Sequence, residues 1–338
     1  MPETACLSHK EDVDGISSAA LIKAAFKTDH VVLVDYGNVI SKLEKLAMFS
    51  SDKEKIDRIF ICDLGLSKKN EQRFSDIVGE IISNGSKVTY IDHHELNKDT
   101  ATKLKKLGVT LIHSIEECTS VQIYSKYKGK LDSHAGFFAA AGALTDYMET
   151  KPRASAIMSK FDKQFLMLEA TALSYMISAN QNNNEFLSKI VDTLAEMKYP
   201  HEIDGGFSIA EKYCVRLAQA MNKIETSVVK FKNLACVHSN VDLSASTIVN
   251  SVLGLSGKPV AMVYKLKDDI NSYVISIRAS KDSKVHLGRL VNEIATQVGG
   301  SGGGHEKASG AVIPKDKLDQ FINLLDRQIH SGKIGKQI

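Results

Sequence analysis

Apolar residues fall along this chain in short runs that alternate with longer stretches of helical periodicity. Residues 4–8, 31–34, 58–62, 87–91 and 109–112 are runs of strand length. Between them, helical patterns carry Ala19, Leu21, Ile22, Ala25 and Phe26, then residues 39–48, then residues 71–82. Gly15 is expected to permit a tight turn before the first helix, and Ser17 to cap it. Asn84-Gly85 reads as a helix stop. Such alternation predicts an α/β fold, a doubly wound parallel sheet covered by helices on both faces.

Residues 117–149 change the pattern to helical. Residues 137–144 are small and apolar, a helix packed closely on a neighbour, and they deliver Asp146. Helical patterns continue over 161–177, 185–197 and 209–224, broken by polar stretches, and are expected to connect two lobes. A second α/β pattern begins near Leu234. Its expected strands are 234–237, 260–264, 273–277 and 311–313, and its expected helices 246–253, 287–297 and 315–328. The expected organisation is a catalytic domain over 1–158 and a helical connector over 159–233. A smaller C-terminal α/β domain over 234–332 follows, with an active-site cleft between the two lobes.

Composition adds exclusions. No apolar run approaches the roughly 18 residues that span a bilayer, so no membrane partner is expected. The N-terminus lacks the pattern of a secretory signal, and a cytoplasmic protein is expected. The five cysteines are scattered without a Cys-x-x-Cys pair, which supports neither a disulfide framework nor a zinc ribbon. A net charge of +3 neither demands nor excludes nucleic acid; only a local basic groove would matter.

The chemistry lies where the strands end. His9, Asp12 and Asp14 follow the first strand, Asp63 the third, and Asp92-His93-His94 the fourth. In open α/β sheets that edge is where ligands bind. With Asp146 these residues make a mixed set of carboxylates and imidazoles, which suits Mn²⁺ or Mg²⁺ better than structural zinc. Carboxylates converging without cations would repel and raise one another's pKa values. Two divalent ions with one bridging carboxylate are the natural remedy, and two ions about 3.5–4 Å apart are a usual device for phosphoryl hydrolysis. In the second lobe, Gly299-Gly300-Ser301-Gly302-Gly303-Gly304-His305 is no Walker loop and no dinucleotide fingerprint. Its glycines suit a phosphate or nucleotide cradle, and Arg278, expected just past a strand, could clasp the same phosphate. A flexible linker and a surface salt bridge are the plainer alternatives.

The ordered set Asp12-Val13-Asp14-Gly15, Asp63, Asp92-His93-His94, Asp146 and Gly302-Gly303-Gly304-His305 resembles the DHH phosphoesterase superfamily. The late element is similar to its DHH-associated domain, in the arrangement of RecJ-like exonucleases, short-RNA nucleases and cyclic-dinucleotide phosphodiesterases. The resemblance implies two divalent ions, Mn²⁺ preferred and Mg²⁺ second. His9 and Asp12 would hold one ion, Asp14, His93 and Asp146 the other, and Asp63 would bridge. Asp92 would orient His93, and His94 would face the scissile phosphate. Arg278 and the loop Gly302, Gly303, Gly304, His305 would place the substrate.

The implied activity is a metal-dependent phosphodiesterase, foremost a single-strand-specific exonuclease releasing nucleoside monophosphates. Its partners would be single-stranded nucleic acid or short oligonucleotides, and replication or repair proteins. The alternatives are an oligoribonuclease or cyclic-dinucleotide phosphodiesterase and, lower, a catalytically silent replication or repair scaffold. A pyrophosphatase of the superfamily ranks below the exonuclease, because it would carry a different second domain.

Overall fold

The computed structural model describes residues 3–49, 56–241, 243–304 and 306–331. The chain divides into two compact units, Met1–Tyr213 and Cys214–Ile338.

In the first unit five parallel strands alternate with helices: β1 (Thr4–His9), α1 (Val13–Phe26), β2 (His30–Val34), α2 (Val39–Phe49) and β3 (Arg58–Cys62). Then follow α3 (Lys68–Ser83), β4 (Lys87–Asp92), α4 (Lys98–Lys106) and β5 (Thr110–His113). The strand order is β2-β1-β3-β4-β5. Burial on both faces explains the uninterrupted apolar runs. Ala5, Leu7, Ile59 and Ile61 pack on the side of α2, α3 and α4, with Leu43, Phe74 and Leu104. Cys6, Phe60 and Cys62 point the other way, into a core with α1, α5 (Thr119–Tyr127) and α6 (Ala135–Thr145). The helices α7 (Pro152–Met158), α8 (Lys163–Ala179) and α9 (Asn184–Ala195) add Ile157, Leu173 and Ile190 to that core. Helix α1 is apolar nearly all round because it is buried nearly all round.

The start of α1 differs from expectation. Asp12, not Ser17, is its N-cap, accepting from Gly15 N at 2.9 Å, and Ser17 is buried inside the helix. Gly15 lies in the first turn rather than in a turn before it. A Cβ there would come within 2.4 Å of the His9 carbonyl oxygen, so glycine is what lets α1 start this close to β1.

Helix α10 (Gly206–Ser227) leads to the second unit, whose mixed sheet has the order β10-β11-β9-β8-β7-β6. The strands are β6 (Val229–Lys230), β7 (Leu234–His238), β8 (Val260–Lys267), β9 (Ser272–Ala279), β10 (Ser301–Gly304) and β11 (Ala308–Pro314). Only the β7–β8 pair is parallel among these. Helix α11 (Ala245–Ser256) covers one face, where Ala235 and Val237 meet Ile248 and Val252. Helices α12 (Leu287–Gln297) and α13 (Leu318–Ser331) cover the other, where Leu234 and Cys236 meet Val291 and Phe321. No helix among the described residues is long and apolar enough to cross a membrane.

Candidate metal centre

Strand order reverses at β1, whose neighbours β2 and β3 are reached on opposite sides. Such a switch point opens a crevice beyond the carboxyl ends of the strands. His9 ends β1, Asp12 and Asp14 open α1, Asp63 follows β3, Asp92 ends β4, and Asp146 caps the C-terminus of α6.

These side chains meet in ligand-sized groups. His9, Asp12 and Asp63 form one and Asp14, His93 and Asp146 another, each with ligand atoms within 4.8 Å of one another. His9 Nδ1 lies 2.9 Å from Asp12 Oδ2 and 3.7 Å from Asp63 Oδ2. His93 Nε2 lies 3.3 Å from Asp63 Oδ1, 3.3 Å from Asp146 Oδ2 and 4.0 Å from Asp14 Oδ2. Asp63 therefore turns one oxygen toward each group. The donor set fits divalent ions. His9 Nδ1 is buried and, among the described residues, makes no hydrogen bond of proper geometry despite two carboxylates beside it. A ring nitrogen and oxygens gathered without mutual hydrogen bonding are what a shared cation would organise.

Electrostatics point the same way. Burial raises the Asp14 carboxyl to about 6, helped by the charge of Asp63 and opposed by His93. Burial, with Asp14, Asp12 and Asp63 as neighbours, pushes Asp146 well above the carboxylate range. Asp63 goes the other way: burial would raise it, but the imidazoles of His9 and His93 beside it hold it below the ordinary range. Burial opposes protonation of His93, yet its bond to Asp63 and the charges of Asp14, Asp63 and Asp146 lift it to about 10. Protons on the imidazoles thus offset the carboxylates, a task that divalent cations perform when bound.

Several supporting residues escape the sequence reading. Asp14 accepts from the backbone of Thr119, at 2.7 Å, and of Ser120, at 2.9 Å, at the N-terminus of α5, and from the Ser120 hydroxyl. Oriented N–H groups there favour a carboxylate. Thr119 Oγ1 donates to Asp63 Oδ1 at 3.0 Å. Gly142 makes the arrangement sterically allowed, since a Cβ would lie 2.4 Å from Ser120 Oγ and 2.7 Å from Asp14 Oδ1. A Thr-Ser pair opening a helix after two glutamates was the available signal for α5.

Asp92 does not do what was expected of it. It holds His94, with Oδ1 2.9 Å from Nδ1 and Oδ2 accepting from His94 N at 3.1 Å, rather than His93. The two-residue step from Asp92 folds back on itself, whereas His93 turns toward Asp63 and Asp146. Burial lowers the His94 pKa and the Asp92 contact more than restores it. The other ring nitrogen of His94 lies 3.2 Å from the Tyr36 hydroxyl, a second partner that the sequence did not single out.

In the second unit the glycine run is a strand, not a loop. Gly302, Gly303 and Gly304 of β10 pair with Ala311, Gly310 and Ser309 of β11. At Gly304, with φ 144°, a Cβ would lie 2.5 Å from the Ala308 carbonyl oxygen, so only glycine fits the tight end of this hairpin. The Gly302 carbonyl accepts from Asn292 Nδ2 of α12 at 2.7 Å. Arg278 lies inside β9, opposite Ala308 and Ala261, because β9 runs on past Ile277; its Nη1 donates to the Ile277 carbonyl at 3.1 Å. His305 lies outside the described residues.

Comparison with known proteins bears on both units. Residues 232–331 match the DHHA1 domain family. A solved DHH domain, from a member of a family of ribosomal proteins, is similar over 97% of this chain and 86% of its own, at TM-score 0.74 and 12% identity. Residues 232–331 thus carry a DHHA1 domain, and the chain shares the fold of a solved DHH domain. RecJ from Thermus thermophilus in complex with Mn²⁺ shares the fold over 97% of this chain and 52% of its own, at TM-score 0.63 and 13% identity. The pGpG-specific phosphodiesterase from Vibrio cholerae does so over 97% and 99%, at TM-score 0.59 and 13% identity. Two uncharacterized proteins of Methanocaldococcus jannaschii are 26% identical over 141 and 195 residues, matches that span 41% and 43% of their length. The chain therefore covers less than half of these curated relatives.

Proposed function

We propose that this DHH/DHHA1 protein is a two-metal phosphodiesterase that trims single-stranded nucleic acid from one end and releases nucleoside monophosphates. The observation that carries the reading is the pair of ligand groups with Asp63 reaching into both. His9 and Asp12 would hold one ion, Asp14, His93 and Asp146 the other, with Mn²⁺ preferred. Such a pair supplies a nucleophilic water at neutral pH and neutralises charge that develops on phosphoryl oxygens. The chain's own residues then position. Thr119 and Ser120 fix the carboxylates of Asp63 and Asp14 before any ion arrives. Asp92 holds the His94 ring through Nδ1, and Nε2, which lies beside the Tyr36 hydroxyl, is the nitrogen that would exchange that partner for a substrate phosphate. Arg278 and the Gly302–Gly304 strand would bind substrate phosphates in the second unit, Arg278 through its fork of donors.

A second reading has its own support. The pGpG-specific phosphodiesterase shares the fold over 97% of this chain, as RecJ does, and the substrate in its name is a dinucleotide. Incubation with Mn²⁺ and end-labelled single strands of graded length separates the two. Stepwise release of monophosphates from long strands, with duplex untouched, supports the exonuclease. Cleavage confined to dinucleotides moves the assignment to the second reading, and cleavage of no strand at all overturns both.

A further inference from the structure

Away from the metal ligands, the first unit holds a concavity of about 760 Å³ beside the edge strand β5, walled by α5 and α7. That is within the roughly 300–1,000 Å³ of small-ligand sites. Lys126, Lys128, Arg153 and Lys160 line it against one acid, Glu117. Arg153 Nη1 sits 2.9 Å from Glu117 Oε2, which neutralises that acid and leaves the surplus positive. Ile112, Ile157 and the Tyr124 ring give the same concavity an apolar side. Basic groups suit a phosphate, and an apolar side with an aromatic ring suits a planar base.

The concavity is also tied to the loop that bears the metal ligands. His113 in its wall reaches the His94 carbonyl through Nε2, at 2.6 Å. Gln122, also in its wall, donates through one nitrogen to the carbonyls of Asp92 at 3.1 Å, Ser114 at 3.2 Å and Glu117 at 2.8 Å. An occupant would press on groups that hold Asp92 and His94 in place.

We propose that this concavity is a second binding site, separate from the metal centre, for a nucleoside monophosphate. Its preference for a phosphate monoester of mononucleotide size rests on volume, charge and lining. That this ligand is the protein's own product rests on the function proposed above.

The test uses the full chain in EDTA, where no hydrolysis takes place, titrated calorimetrically with adenosine 5′-monophosphate, adenosine and a twelve-nucleotide strand. Wild-type protein and Asp63→Asn should bind the monophosphate equally, and adenosine much more weakly. Lys126→Glu with Lys160→Glu should weaken monophosphate binding by roughly tenfold or more, since it reverses exposed charges. Equal thermal unfolding of all three proteins secures the comparison. No monophosphate binding by wild type, or equal binding by the double variant, overturns the site. Loss in Asp63→Asn places the nucleotide in the metal centre and overturns it as well. If the double variant affects only the twelve-nucleotide strand, the lysines belong to a strand track and the mononucleotide site is wrong. A protein that binds the monophosphate as described yet cleaves no strand keeps the site and loses the proposed function.

Discussion

Asp63 leaves β3 with φ 57°, a left-handed backbone conformation that Asp and Asn tolerate better than other side chains. Strain of this kind persists where the surroundings over-determine it, and here Thr119, His9 and His93 all hold the carboxylate. His93 shows what such crowding means for metal binding. Its folded pKa of about 10 lies above the ordinary 6.5. Its contribution to the metal-free fold is therefore complete below pH 6.5 and fades as pH rises toward 10. A ligating imidazole must give up that proton, so Mn²⁺ affinity should climb with pH across the same window. Calorimetry at pH 8 in buffers of different protonation enthalpy should show at least one proton released per chain; zero release would refute this picture of His93.

At the scale of elements, the centre depends on α1, α5 and α6 lying close enough for Asp14 to be enclosed. Gly142→Ala places a methyl group against Ser120 Oγ and Asp14 Oδ1. The expected cost is about 1–3 kcal/mol of stability, together with weaker Mn²⁺ binding. Thermal unfolding with and without Mn²⁺ checks both, and a variant that matches wild type in each would show the packing to be slack. Strands of the first unit were legible because burial on both faces leaves unbroken apolar runs; β3 and α12 have the predicted bounds. The residues that meet in the candidate metal groups stood out because each follows a strand or helix of that kind. What was hidden depends on contacts between distant segments. Nothing local distinguishes Thr119 and Ser120 from any helix start, and the Asp14 that they bind stands far away in sequence. Strand β10 was hidden for another reason. Its glycines carry no side-chain pattern, and only the hairpin with β11 and the contact with α12 make them a strand.

For the whole molecule, the proposed labour is divided: ligands for ions lie in the first unit, Arg278 and the glycine strand in the second. Arg278→Ala should therefore raise KM for an oligonucleotide by roughly tenfold while sparing hydrolysis of a minimal phosphodiester. Equal loss on both substrates would assign Arg278 to holding the fold. Salt separates the two proposed substrates. Binding of a long strand by an inactive variant should fall with a slope near −0.7 per phosphate in log affinity against log salt, whereas a dinucleotide should show little dependence. A flat response for the long strand would favour the dinucleotide reading.

The central claim is that one carboxylate serves both ions. Its most direct test is the hydrolysis rate of Asp63→Asn against wild type in saturating Mn²⁺, on a short single strand. Asn keeps the left-handed backbone tolerable and can still meet Thr119. The account predicts a fall larger than the roughly 100-fold that loss of an outer hydrogen-bonding partner costs, with the fold intact by thermal unfolding. Activity near wild type would contradict it.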